Sequence, residues 1–218
     1  MKVSAAYTRL DIVANRICCA GEMPEPRVVL AAEMVEYHKT PAQVVIDLVK
    51  RVEWRAEDVF VDLGSGLGQV VLMVHLLAGV RARGVEIEPE YCEYARKCAA
   101  RLGLAGVGFI EGDAREADLS EGTVFFLFTP FKGELLRQVL ERLRAEAAQR
   151  MIRVIGYGPC TKELEELEWL RREGGVGERG RVGERGREGE GGYEGVVIRE
   201  GDEGEEAYSL KLFTSCLV

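Results

Sequence analysis

Along this chain, short apolar runs alternate with stretches in which apolar residues recur every three or four positions. Residues 58–63, 83–87, 107–111, 123–128 and 151–157 have the length and the β-branched or aromatic content of buried strands. Between them, 68–78, 89–102 and 133–147 carry helical spacing, and a further helix is predicted over 161–172. Strand and helix alternating in this way predict an α/β fold, a doubly wound parallel sheet covered by helices. Upstream, Pro41 is expected in the first turn of a helix running to Arg51, with Thr40 as its cap and Val44, Val45, Leu48 and Val49 on its apolar side.

The two ends read differently. Residues 1 to about 30 are amphipathic and helix-compatible until 21–26, where two prolines and a glycine stop any helix. Residues 1–40 are therefore expected to form an N-terminal helical extension and a closing loop, and 41–218 the main domain. Residues 195–199 and 207–213 read as two strands around the acidic turn 200–206, predicting a C-terminal antiparallel hairpin that completes a Rossmann-like, mostly parallel, seven-stranded sheet. Before that hairpin, 174–192 repeats Gly177-Glu-Arg-Gly180 as Gly183-Glu-Arg-Gly186 with almost no apolar residue, so a flexible linker is expected to interrupt the domain.

Composition narrows the function classes. With 218 residues and 47% hydrophobic content the chain has material for one α/β domain with a sizeable core. Its 29 Lys+Arg against 37 Asp+Glu leave a net charge of −8, which disfavours nucleic acid as a partner. Six cysteines without a Cys-x-x-Cys and two histidines offer no zinc framework, and no metal is expected. Arg9, Asp11 and Arg16 interrupt the first twenty residues and no later run is long enough to span a bilayer, so no membrane association and a cytoplasmic location are expected. No coiled-coil repeat indicates an oligomeric state.

The chemistry concentrates at the end of the first strand, in Asp62-Leu-Gly-Ser-Gly-Leu-Gly-Gln69. In a doubly wound sheet this loop lies at the carboxyl end of a strand, where ligands bind, and glycines let the backbone approach a ligand closely. The glycines at 64, 66 and 68 are spaced Gly-x-Gly-x-Gly after an aspartate, not Gly-x-Gly-x-x-Gly, so the pattern departs from the pyrophosphate cradle of dinucleotide enzymes. An aspartate beside a pyrophosphate adds repulsion, whereas beside a sulfonium and an ammonium it is favourable. The expected cofactor is S-adenosyl-L-methionine. Glu86 ends the second strand and suits a ribose, and Asp113, followed by Ala114, ends the third and suits an adenine amino group. Two alternatives stay open: a cofactor-binding protein without turnover, and an NAD(P)-dependent oxidoreductase.

The segment from Asp62 to Gln69, with its terminal glutamine, resembles the cofactor loop of the disruptor-of-telomeric-silencing family of histone-lysine methyltransferases. The resemblance runs from about Tyr37 to Ile155, and Tyr37-His-Lys-Thr40 is similar to that family's Tyr-Gly-Glu-Thr loop, matching at Tyr37 and Thr40. It implies a class I methyltransferase that binds S-adenosylmethionine through Thr40, Asp62, Gly64, Ser65, Gly66, Gly68, Gln69, Glu86, Asp113 and Ala114. Tyr37 and Phe131 are then expected to flank the sulfonium and Thr129 to orient the acceptor, a protein amine or another methyl acceptor. Where the family carries Asn-Asn-Phe, this chain reads Phe128-Thr-Pro-Phe131, and the basic nucleosome-binding extension has no counterpart. His38, near the expected mouth, and His75 are not placed among the catalytic residues.

Overall fold

Strand β1, Val59–Leu63, is buried at every position, as expected of a strand covered on both faces. The computed structural model describes residues 9–18, 22–173 and 208–216. Among these, β2 (Arg81–Glu86), β3 (Val107–Glu111), β4 (Val124–Leu127) and β5 (Arg153–Tyr157) join β1 in parallel, and β6 (Leu170–Arg172) and β7 (Leu210–Ser215) complete a seven-stranded sheet of order β3-β2-β1-β4-β5-β7-β6. Strand β7 runs antiparallel to both of its neighbours. The order reverses between β2-β1 and β4, which opens a crevice beyond the carboxyl ends of these strands.

Side chains of successive β1 residues alternate between two cores. Phe60 packs with α1 (Arg9–Cys18), α2 (Ala42–Arg51), α3 (Gln69–Ala78) and α4 (Pro89–Arg101); Val59, Val61 and Leu63 pack with α5 (Gly133–Ala147) and α6 (Thr161–Glu165). That alternation is the doubly wound arrangement. Helix α5 shows why it forms: Leu135, Leu136, Val139, Leu140 and Leu143 fall on one buried face.

Two expectations change, and a third is not reached. The helix predicted over 161–172 stops at Glu165, and Leu170–Arg172 forms β6 instead, because the partner β7 offers it a backbone ladder. The expected hairpin partner 195–199 and the linker 174–192 lie outside the described residues. Thr40 does not cap α2: Pro41 is the N-cap and no cap residue side chain bonds there, while the buried Asp11 of α1 accepts the Ala42 N–H on Oδ1 at 2.8 Å. A carboxylate reaching in from another helix thus satisfies an amide that α2 itself leaves open. Among the described residues, no helix is long and apolar enough to cross a membrane.

Candidate active site

The glycine loop is tied down at once after β1. Gly64 and Ser65 both donate backbone N–H bonds to the Val85 carbonyl of β2, at 2.9 and 3.0 Å, and Gly68 becomes the N-cap of α3. Gly64 and Gly66 have φ of 80° and 51°, and each is closely covered: a Cβ on Gly64 would overlap Pro130, and one on Gly66 the ring of Tyr37. Neither position admits a side chain, so main chain forms this wall of the cleft.

Two carboxylates stand behind that wall. Asp62 is buried, and burial first and the Glu86 charge second push its carboxyl up to about 8. Glu86 accepts the Gly66 N–H on Oε2 at 2.7 Å and the Glu88 N–H on Oε1 at 2.9 Å; burial outweighs these bonds and raises its carboxyl too. A cationic ligand would relieve both groups. Asp113, expected to face an adenine, is gripped by Arg115, whose guanidinium holds its carboxyl below the usual range.

A segment upstream of α2 forms the opposite side. Glu88 Oε2 accepts the N–H groups of Arg27 and Val28 at 2.8 and 2.7 Å, and Val35 donates to the Pro130 carbonyl at 3.2 Å, so residues 22–41 form a strap stretched from the end of β2 to the end of β4. On this strap Tyr37 meets Tyr91 edge-on at 5.7 Å and Thr40 is buried, while His38 is exposed, with Nδ1 2.8 Å from the Glu36 carbonyl oxygen. Glu33 accepts the Glu134 N–H at 2.9 Å and so caps α5 from the strap.

Beyond β4, Thr129 takes the unusual φ of 40°; its hydroxyl donates to the Tyr157 carbonyl at 3.1 Å and accepts the Cys160 N–H at 3.3 Å. That hydroxyl holds the loop against β5. Phe131 lines the cleft yet is buried in the α5-side core, bridging to Met34. Phe128, Tyr157 and Tyr208 form a continuous aromatic wall, with ring centres 4.8, 6.0 and 6.4 Å apart.

All of this encloses one cleft of about 1380 Å³. Tyr37, Thr40, Asp62, Gly64, Ser65, Gly66, Gln69, Glu86, Asp113, Ala114, Thr129 and Phe131 line it; of the expected residues only Gly68 does not, its Cβ direction being filled by Phe109 and Ala95. The donor set fits S-adenosylmethionine: bare glycine backbone, acids at the ends of β1 and β2 and just past β3, and a buried Ser65 hydroxyl that has no hydrogen-bond partner. Sequence reasoning missed Glu88, Tyr91, Tyr157 and Tyr208. Glu88 was detectable as an acid directly before Pro89 at a helix start, and Tyr157 as the residue ending β5; nothing pointed to Tyr208.

The family model described as histone methylation protein DOT1 matches residues 32–124. A protein-lysine N-methyltransferase from Saccharolobus islandicus strain REY15A is 32% identical over 112 residues, covering 50% of this chain and 69% of that protein. Among solved structures, an RNA methyltransferase from Salinibacter ruber in complex with S-adenosyl-L-homocysteine is 32% identical, covering 56% of this chain and 78% of that one, with a TM-score of 0.47.

Proposed function

The chain belongs to the class I S-adenosylmethionine-dependent methyltransferases, and from that premise we propose that its methyl acceptor is a protein amine of the lysine type. The observation that carries this reading is the aromatic wall of Phe128, Tyr157 and Tyr208 beside Thr129, at the β4–β5 side of the cleft. A lysine side chain has an apolar stem and a cationic head, and ring faces accommodate both. Partial burial there lowers the amine pKa toward the neutral form that can attack. The relative from Saccharolobus islandicus, named for protein-lysine methylation, supports the same acceptor class.

In this reading the cofactor supplies a methyl group activated on a sulfonium, ready for in-line displacement. The chain aligns and encloses. Asp62 stands near the positive charge, Glu86 takes the ribose hydroxyls, Asp113 and Ala114 meet the adenine, and Gln69 and Thr40 close the methionine end. Tyr37 and Phe131 flank the sulfonium with aromatic faces. Thr129 contributes by fixing the β4 loop to Tyr157, and the strap excludes water.

The test is to incubate the protein with isotopically labelled S-adenosylmethionine and separated protein, RNA and small-molecule fractions. The expected result is label in the protein fraction and, by peptide mass spectrometry, on lysine. Label confined to RNA or to small molecules would overturn the acceptor class.

A further inference from the structure

We propose that Arg115 is a positioning residue that makes the adenine end of the cleft selective for a purine carrying a 6-amino donor, by fixing the Asp113 carboxylate as an acceptor with one free position. The inference rests on the reading that Asp113 receives the adenine amino group.

The geometry is a fork closed on itself within three residues. Arg115 Nε lies 3.0 Å from Asp113 Oδ1 and 3.1 Å from Oδ2, Nη2 lies 2.6 Å from Oδ2, and the Arg115 backbone N–H donates to Oδ1 at 2.8 Å. A carboxylate has about four lone-pair positions. The main-chain N–H lies on Oδ1, the single Nε hydrogen is shared between Oδ1 and Oδ2, and Nη2 lies on Oδ2, so three N–H hydrogens face about four positions. The carboxylate can therefore accept one further donor and cannot itself donate.

The guanidinium is held from behind. Its Nη1 donates to Gln138 Oε1 of α5 at 3.2 Å, and Arg142 donates to the carbonyls of Arg115 and Ala117, which fixes the turn carrying both residues. The Asp113 side chain is 19% exposed, so its orientation is set by protein rather than by water. The carboxyl is also kept below the usual range, mainly by Arg115. A 6-amino purine meets this acceptor with an N–H; a 6-oxo purine meets it with an oxygen, and two acceptors repel. Sites built to receive a hydrogen bond reject ligands that cannot make it. Without the fork the carboxylate can turn away or take up a proton, and the distinction is lost.

The experiment is calorimetric titration with S-adenosylhomocysteine and its deaminated analogue, S-inosylhomocysteine, which reads binding without turnover. Wild type is expected to prefer the 6-amino ligand by at least about tenfold. Arg115→Gln is expected to reduce that preference more than about threefold, chiefly by weakening the 6-amino ligand. Arg115→Leu serves in its place if the glutamine variant does not melt cooperatively. Asp113→Ala is expected to abolish the preference.

Absence of preference in wild type, or an Arg115 variant within about threefold of wild-type selectivity, overturns the proposal. If Asp113→Ala loses selectivity while the Arg115 variants keep it, only the role of Arg115 fails. If Asp113→Ala keeps it, the reading of Asp113 fails and that of Arg115 falls with it.

Discussion

Tyr37 lies against the backbone of Gly66 so closely that a Cβ on the glycine would overlap the edge of the phenol ring. The ring is held on its other side by Tyr91, 5.7 Å away and inclined by 63°. Strap and glycine loop therefore meet through one ring and one bare main-chain segment. Gly66→Ala forces an alanine into φ of 51°, at a cost of about 1–2 kcal/mol, and displaces Tyr37 as well. Calorimetry is expected to show S-adenosylhomocysteine bound at least about tenfold more weakly, with an unchanged circular dichroism spectrum. Wild-type affinity would mean that the strap yields freely.

The carboxyl of Asp62, pushed up to about 8 by burial and by Glu86, makes both stability and binding depend on pH. An acid raised on folding keeps its proton in the folded chain where the unfolded chain has lost it, so its stabilising contribution is complete below about pH 4 and is lost as pH rises through about 8. The melting temperature of wild type relative to Asp62→Asn is expected to fall across that window. S-adenosylmethionine, being cationic, should bind more tightly as pH rises from about 6 to about 8, by up to about tenfold per unit. In Asp62→Asn the slope should flatten; a wild-type affinity independent of pH would contradict the assignment.

At the opposite end of the sheet, Asp58 accepts from Arg153 Nη2 at 2.6 Å, from the Arg55 N–H at 2.7 Å and from the Thr123 hydroxyl at 2.8 Å. Burial works to raise its carboxyl, but these partners hold it below the usual value, so its contribution is present above about pH 4 and lost as pH falls through the folded value. With the Asp58 and Arg153 side chains only 4% and 14% exposed, Arg153→Ala leaves a buried charge without its partner. A loss of about 3–5 kcal/mol is expected in urea titration, and Asp58→Asn in the same background should recover part of it.

Tyr208 is 43% exposed and, among the described residues, its ring meets those of Phe128 and Tyr157 at 6.4 and 6.0 Å, so its removal costs little stability. Tyr208→Ala is expected to raise KM for the proposed protein acceptor by about five- to tenfold while the Kd for S-adenosylhomocysteine stays within about twofold. A change in cofactor affinity without one in acceptor KM would remove Tyr208 from the acceptor wall.

Glu88 latches the strap through two main-chain amides. Bonds to a charged acceptor contribute about 1.5–3 kcal/mol, so in Glu88→Ala hydrogen exchange at Arg27 and Val28 should accelerate at least about tenfold while that of β1 and β4 is unchanged. Equal acceleration throughout would indicate global destabilisation instead.

Sheet, helices and cofactor were legible because their cues are local or periodic: the apolar run into Asp62, the glycines behind it, and the leucines of α5 need no partner to be recognised. The error over 161–172 has a different origin. Leu164, Leu167 and Leu170 share a helical spacing, but Leu170 is drawn into a strand by Ser215, a residue far along the chain. Long-range pairing of that kind leaves no trace in a window of neighbouring residues. The same holds within the site: the acid at 113 could be read, while its engagement by Arg115 depends on side-chain geometry, and Tyr208 reaches the cleft only because β7 runs back along β5.

That return path also orders events in time. Strand β7 lies inside the sheet, between β5 and β6, although it is the last element of the described chain. Until it arrives, the outer rim of β5 offers unpaired amides and carbonyls to any passing strand, and β6 has nothing to pair with. A nascent chain on the ribosome can thus complete its cofactor loop while the aromatic wall is still without Tyr208, and a chain cut short before β7 is one that should adhere to its own copies.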